Sequence, residues 1–195
     1  LHAVRWTRPD AMTAVYYAAT AMHRPTEEAL LAARKILRYL WDTRKLGLNY
    51  RMEGCEPELS GYGDSDWGGW YDGRSRAGWG VKLGTPDFPN SPFVWNSQLL
   101  VPIFLSTADA EQAAATELCK EMLWARRIVG ELGWDQTGKY STVFTDNKPM
   151  YHRMENPIRS FRKRYMRIKY WFMQQLVSLD NHDELRELTL KLIPS

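Results

Sequence analysis

The sequence predicts a mixed α/β fold, a five-stranded sheet flanked by helices and preceded by a helical appendage. Three patterns carry that expectation. Short strand-like runs separated by Gly, Asp, Pro and Asn occupy residues 59 to 95. A long segment of helical period follows them, and strand and helix signals then alternate to the end in the order βββ-α-β-α-α-β. Hydrophobic residues make up 44% of the 195 and charged residues 25%, enough apolar side chain to bury a core.

The pattern from Arg8 to about Thr43 is helical. Pro25 and Thr26 read as a helix start, with Glu27 and Glu28 in the first turn favouring the helix dipole. Leu30, Ala33, Leu37 and Leu40 form one apolar stripe beyond them. Around Leu48 to Pro57 the composition shifts to Asn, Gly, Cys, Glu and Pro, which divides the chain into a helical appendage, 1–54, and a main domain, 55–195. Strands are expected at Leu59 to Asp64, Ala77 to Leu83 and Phe93 to Trp95, as an antiparallel meander. A helix from about Ala108 to Leu132, a strand Thr142 to Thr145, a short helix after Pro149, a basic helix from about Phe161 to Leu179 and a strand Leu188 to Ile193 complete the order.

Several classes are excluded. Cys55 and Cys119 are the only cysteines and lie far apart, so a disulfide framework or an all-thiolate zinc site has no basis, and both are expected as free thiols. A formal net charge of +3 is too mild to identify a nucleic-acid binder by itself. No apolar run approaches the roughly 20 residues of a membrane helix, and the first residues lack the apolar stretch of a signal peptide. An intracellular protein, cytoplasmic or nuclear, is therefore expected. The initial Leu suggests a processed product or a segment of something longer. His2, His23, His152 and His182 fit no ligand spacing and are expected at the surface.

Three carboxylates stand apart from the other acids. Asp64 closes the first strand within Gly61-Tyr62-Gly63-Asp64-Ser65-Asp66-Trp67, although Asp-Ser-Asp beside glycines also suits a turn. Asp146 follows Val143-Phe144-Thr145, where it also suits a helix N-cap. Glu111 heads a stripe continued by Ala115, Leu118, Met122, Ala125 and Val129. A charge aimed at a core needs a cation or a partner, though a Glu so near a helix start can simply favour the dipole. Asp109 and Glu117 fall off that stripe and are expected at the surface. Asp64, Glu111 and Asp146 together form an oxygen-rich set suited to Mg²⁺ or Mn²⁺, and such sets can hold two ions about 4 Å apart for phosphodiester hydrolysis.

These residues resemble the ribonuclease H domain of copia-type long-terminal-repeat retrotransposons, preceded by the tail of the reverse transcriptase. Arg8-Pro9-Asp10, Ala14-Val15, Ala32 to Leu40 and Gly47 to Tyr50 are similar to the polymerase-end helices of that family. Gly61 to Trp67 resembles its Gly-Tyr-x-Asp-Ala-Asp-Trp, Leu105 to Glu111 its Leu-Ser-x-x-Glu-Ala-Glu, and Asp146-Asn147 and Asn156-Pro157 its Asp-Asn and Asn-Pro elements. The resemblance implies a ribonuclease-H-like fold, two-metal hydrolysis of the RNA strand of an RNA–DNA hybrid, and ligand roles for Asp64, Glu111 and Asp146.

The departures bear on activity. Trp95-Asn96-Ser97-Gln98-Leu99-Leu100 replaces Trp-x-Ser-Lys-Lys-Gln and loses a basic pair; Arg164 to Trp171 replaces a segment with an acid and two histidines. The family's fourth catalytic Asp would follow Ser195, so the chain as written is expected to hydrolyse weakly. Arg159, Arg162, Lys163, Arg164, Arg167 and Lys169 are the candidate nucleic-acid contacts, interleaved with aromatics; alternatively Phe161, Tyr165, Ile168 and Phe172 face the core beneath a merely solvated basic surface. Two functions stay open: a weakened ribonuclease H acting on hybrids within a reverse transcriptase, and an inactive, repurposed module that binds RNA or serves in a nucleoprotein assembly.

Overall fold

The computed structural model describes residues 2–50, 56–84, 91–155, 164–177 and 186–193, without the side chains of 155, 164 and 165. Helices α1 (His2–Trp6), α2 (Met12–Thr20) and α3 (Glu27–Asp42) come first, with short 3-10 turns on either side of α2. Strands β1 (Glu58–Asp66), β2 (Arg76–Gly84) and β3 (Pro92–Leu99) follow, then α4 (Thr107–Glu131), β4 (Ser141–Thr145), α5 (Lys148–Glu155), α6 (Arg164–Val177) and β5 (Leu188–Leu192). The five strands lie in the order β3-β2-β1-β4-β5. β1, β2 and β3 pair antiparallel, whereas β4 runs parallel to β1 and β5 parallel to β4. The mixed five-stranded sheet and flanking helices expected from the sequence are present. The 54/55 boundary lies outside the described residues.

Helix starts are capped as the sequence implies: Thr26 Oγ1 accepts from Ala29 N at 3.1 Å, and Ser106 Oγ from Asp109 N at 3.3 Å. The α4 stripe enters the core as read, with Ala115, Leu118, Met122, Ala125 and Val129 all buried. Against it lie Leu59 of β1, Ala77, Trp79 and Val81 of β2, and Val143 of β4. Gly61 and Gly63 point at the same helix: a Cβ on Gly61 would come 2.9 Å from Leu118 Cδ1, so only glycine lets strand and helix approach this closely.

Three expectations need correction. Ile168 is 70% exposed, because α6 buries Met166, Tyr170, Met173 and Leu176; of the four apolar residues expected inward, Phe172 packs against the core edge, while Phe161 and the Tyr165 side chain lie outside the described residues. Asp109 is 5% exposed rather than at the surface, with Arg153 Nη1 3.9 Å from its carboxylate. The stripe on α3 is only half used: Ala33 and Leu40 turn inward, whereas Leu30 and Leu37 stay outside.

The N-terminal helices rest on the β3 side of the sheet. Trp95 Nε1 donates to the Val4 carbonyl at 3.0 Å, Tyr50 donates its hydroxyl to the Pro92 carbonyl at 2.7 Å, and Asn49 N donates to Ser91 Oγ at 2.9 Å. Arg8 ties their two ends together, reaching Asp10 at 2.7 Å and Thr43 Oγ1 at 2.6 Å.

Candidate active site

Parallel pairing of β1 and β4 sets Tyr62 beside Phe144, and their rings stack with centroids 4.8 Å apart. Two residues further along each strand stand Asp64 and Asp146. They stand at the same end of the sheet, and both line a cleft of about 430 Å³ with Gly78, Gly80, Thr145 and Ile193. Asp64 lies within β1 rather than in a turn, since the strand runs on to Asp66. Side chains alternate along a strand, so Asp64 shares the face of Tyr62, away from α4. Its Oδ1 accepts from Ser65 N at 2.7 Å.

Asp146 is the first residue beyond β4. It does not cap α5. Asn147 does so, its Oδ1 accepting from Met150 N at 2.7 Å, which leaves the Asp146 carboxylate exposed at the mouth of the cleft. A second pocket of about 320 Å³ adjoins, lined by Asp146, Asn147, Thr107, Ala108 and Glu111. Asp146 thus borders both spaces and links Glu111, on the helix side of the sheet, with Asp64, on the open side.

Burial pushes the half-buried Glu111 carboxyl above its ordinary range; a hydrogen bond from the Asn147 side chain opposes this, and the charges of Asp146 and Asp64 push it further up. The buried Asn147 is itself fixed at both ends, because its backbone N donates to Thr145 Oγ1 at 3.1 Å while its side-chain oxygen caps α5. These acids repel one another and all offer hard oxygen donors, so in donor type they suit a divalent cation. Among the described residues no group of three His, Cys, Asp or Glu side chains forms a preformed metal-ion cluster. Asp64 and Asp146 line one cleft, Asp146 and Glu111 the adjoining one, and both aspartates are near enough for their charges to act on Glu111.

The chain is 34% identical over 177 residues to the retrovirus-related Pol polyprotein from transposon TNT 1-94 of Nicotiana tabacum, a match covering 91% of this chain and 13% of that protein. It is 30% identical over 200 residues to the Pol polyprotein from transposon RE1 of Arabidopsis thaliana, covering 98% of this chain and 13% of that protein. Its homologues include retrovirus-related Pol polyproteins of copia-type transposons. This Pol homologue spans about 13% of the length of those relatives. No protein-family model matches it. Among solved structures, RNase H1 from Halobacterium salinarum NRC-1 superposes with a TM-score of 0.44 at 13% identity, covering 70% of this chain and 86% of that one.

Of the six basic residues singled out in the Pol homologue, Arg159, Arg162 and Lys163 lie outside the described residues, as does the side chain of Arg164. Arg167 is exposed on α6. Lys169 turns toward α4, with Nζ 4.0 Å from Glu117 Oε1, and burial lowers its amine below the ordinary lysine range. His2, His23 and His152 are exposed as expected; His182 and Cys55 lie outside the described residues. Cys119 is a free thiol pushed up to about 12 by burial. Among the described residues no helix is long and apolar enough to cross a membrane. Sequence reasoning gave Asn147 no role at the site, although an Asn immediately before Lys148-Pro149 is itself a helix-start signal. It also missed Lys82, whose ammonium sits 4.9 Å from the Tyr62 ring centroid on the open face.

Proposed function

We propose that this chain is a ribonuclease-H-like domain that hydrolyses, weakly, the RNA strand of an RNA–DNA hybrid at the sheet end bearing Asp64, Glu111 and Asp146. One observation carries the reading: Asp64 near the end of β1 and Asp146 just beyond the parallel strand β4 share a cleft, while Glu111 shares the adjoining pocket with Asp146. Asp64, Glu111 and Asp146 would hold Mg²⁺ or Mn²⁺, which supplies Lewis acidity and an activated water for phosphodiester hydrolysis. The protein's own contribution is positional. Asn147 orients Glu111 and favours its charged form, and the α5 cap keeps Asp146 free to face the cleft. Arg167 and the basic segment before it would contact phosphates without reading sequence, giving salt-dependent binding. The setting belongs to the same proposal: an intracellular reverse transcriptase or a larger nucleoprotein assembly, in cytoplasm or nucleus.

A second reading, an inactive module that binds RNA or serves as a structural subunit, is favoured by Gln98 and Leu99 where the family resemblance places lysines. One assay separates the two. The purified chain is incubated with an end-labelled RNA–DNA hybrid in Mg²⁺ and then Mn²⁺, beside Asp64→Asn and Asp146→Asn. Slow, metal-dependent cleavage lost in both variants supports the nuclease. Binding of the hybrid without cleavage supports the second reading, and cleavage indifferent to both substitutions removes the carboxylate site.

A further inference from the structure

Helix α3 is strongly amphipathic in sequence, yet none of its 16 residues is buried. Its inner side, Ala29, Ala33, Ile36 and Leu40, is half-buried, as expected of a helix lying against a neighbour along one narrow line. A second apolar line at i, i+7 and i+11 is left outside: Leu30 is 53%, Leu37 66% and Trp41 68% exposed. Such a line on one helix flank is the seam of a helix–helix contact, and an exposed apolar patch of this kind marks an interaction surface.

Charge along the helix indicates what fits there. Acids occupy the first turn, Glu27 and Glu28, with Arg24 just before it, whereas Arg34, Lys35 and Arg38 occupy the second half and Arg44 and Lys45 lie just past its end, with Asp42 already paired to Arg38 at 3.7 Å. A surface acidic at one end and basic at the other complements itself when a copy is turned end for end. A parallel copy would instead set acid on acid and base on base. Antiparallel packing also opposes the two helix dipoles favourably. Trp41, with the Arg44 guanidinium 4.9 Å from its ring centroid, supplies a large aromatic anchor.

We infer that α3 is a self-association surface on which two copies of this chain pair through antiparallel α3 helices about a two-fold axis. Leu30, Leu37 and Trp41 form the seam, and Glu27 of each copy, which flanks it, faces the basic half of the other. The inference is independent of what the carboxylate site does. A helix of 16 residues is only about 24 Å long, so the buried area falls near or below that of a standard interface, and the dimer is weak and concentration-dependent.

The test is sedimentation equilibrium of the 195-residue chain from low micromolar to about 100 µM, a range in which complexes of micromolar affinity pass from monomer to dimer. The expected result is a mass rising to twice the monomer and no further. Leu30→Glu with Leu37→Glu should weaken association at least tenfold while far-UV circular dichroism stays unchanged, since both side chains are exposed. Glu27→Arg should weaken it several-fold, and adding Arg38→Glu and Arg44→Glu should restore it to within about threefold, because opposite charges are re-paired across the seam. A monomer throughout the range overturns the inference. So does a dimer indifferent to the leucine changes, a mass that climbs past two copies, or a charge reversal that its partner reversal does not rescue.

Discussion

Asp64, Asp146 and Glu111 set the residue-scale energetics of the site, because acids crowded at one sheet end destabilise the metal-free chain and are relieved by neutralisation. Asp64→Asn or Asp146→Asn should therefore raise the melting temperature without metal by roughly 1–2 °C. The same substitutions should remove the stabilisation that millimolar Mg²⁺ gives the parent chain. Differential scanning calorimetry with and without Mg²⁺ reads both effects, and a metal-induced shift surviving in the variants would place the ion elsewhere. Asp10 behaves in the opposite sense. The Arg8 guanidinium, and after it the Tyr39 hydroxyl, outweigh burial and hold its carboxyl down from 3.8 to about 2. A carboxyl lowered on folding stabilises the folded state above its unfolded value, and that contribution is lost as pH falls through the folded value. The urea midpoint of the parent should thus exceed that of Asp10→Asn near neutrality, with the difference closing between about pH 4 and about pH 2.

Packing of α4 on the sheet is the decisive contact at the element scale, and glycines measure it. A Cβ at Gly61 would meet Leu118 and Met122, both fully buried, whereas one at Gly78, on the opposite face of β2, would meet nothing within 4 Å. Gly61→Ala should cost about 1–3 kcal/mol by overpacking. Gly78→Ala should be within about 0.5 kcal/mol of the parent. Chemical denaturation of the two variants checks both, and equal stabilities would mean that α4 lies further from β1 than the structure shows. The elements also show what periodicity can convey. The α4 stripe from Ala115 to Val129 was legible because five small or apolar residues recur on one face over nearly four turns. On α6 the rule failed, because apolar and aromatic residues surround the helix and several stripes are equally plausible. Contacts with α4, α5 and β5 select Met166, Tyr170 and Met173, leaving Ile168 outside.

At the scale of the whole molecule, the N-terminal helices are joined to the sheet by a buried cation. Arg76, 7% exposed, has no hydrogen-bond partner for Nε or Nη1 among the described residues, and its guanidinium lies 5.0 Å from the Tyr17 ring centroid, 5.4 Å from Trp70 and 5.7 Å from Tyr16. Cation–π attraction in a dry setting offsets the desolvation that these donors would otherwise leave uncompensated. The box joins α2 to β2 and to the loop after β1, so helices and sheet should unfold together. Circular dichroism and tryptophan fluorescence should report one coincident urea transition. Arg76→Ala should lower stability by about 1–3 kcal/mol. An early, separate loss of helical signal in the parent would show instead that the appendage unfolds on its own.

The sequence by itself determined the element order, the cap of α3, the α4 stripe and the candidate carboxylates, because local hydrogen bonding and side-chain periodicity are written into neighbouring residues. Only the tertiary structure decided which side of the sheet each acid occupies. A strand's alternation has no inward or outward sense until α4 packs on one face, and that packing is what turns Gly61 and Gly63 toward the helix and Asp64 to the other side of β1. The same applies to Asn147, whose cap is local but whose approach to Glu111 comes from packing of the segment after β4 against α4. It applies equally to Leu30, Leu37 and Trp41, whose exposure follows from how narrow a line of α3 its neighbours cover, a property of the assembled helices and of no segment alone.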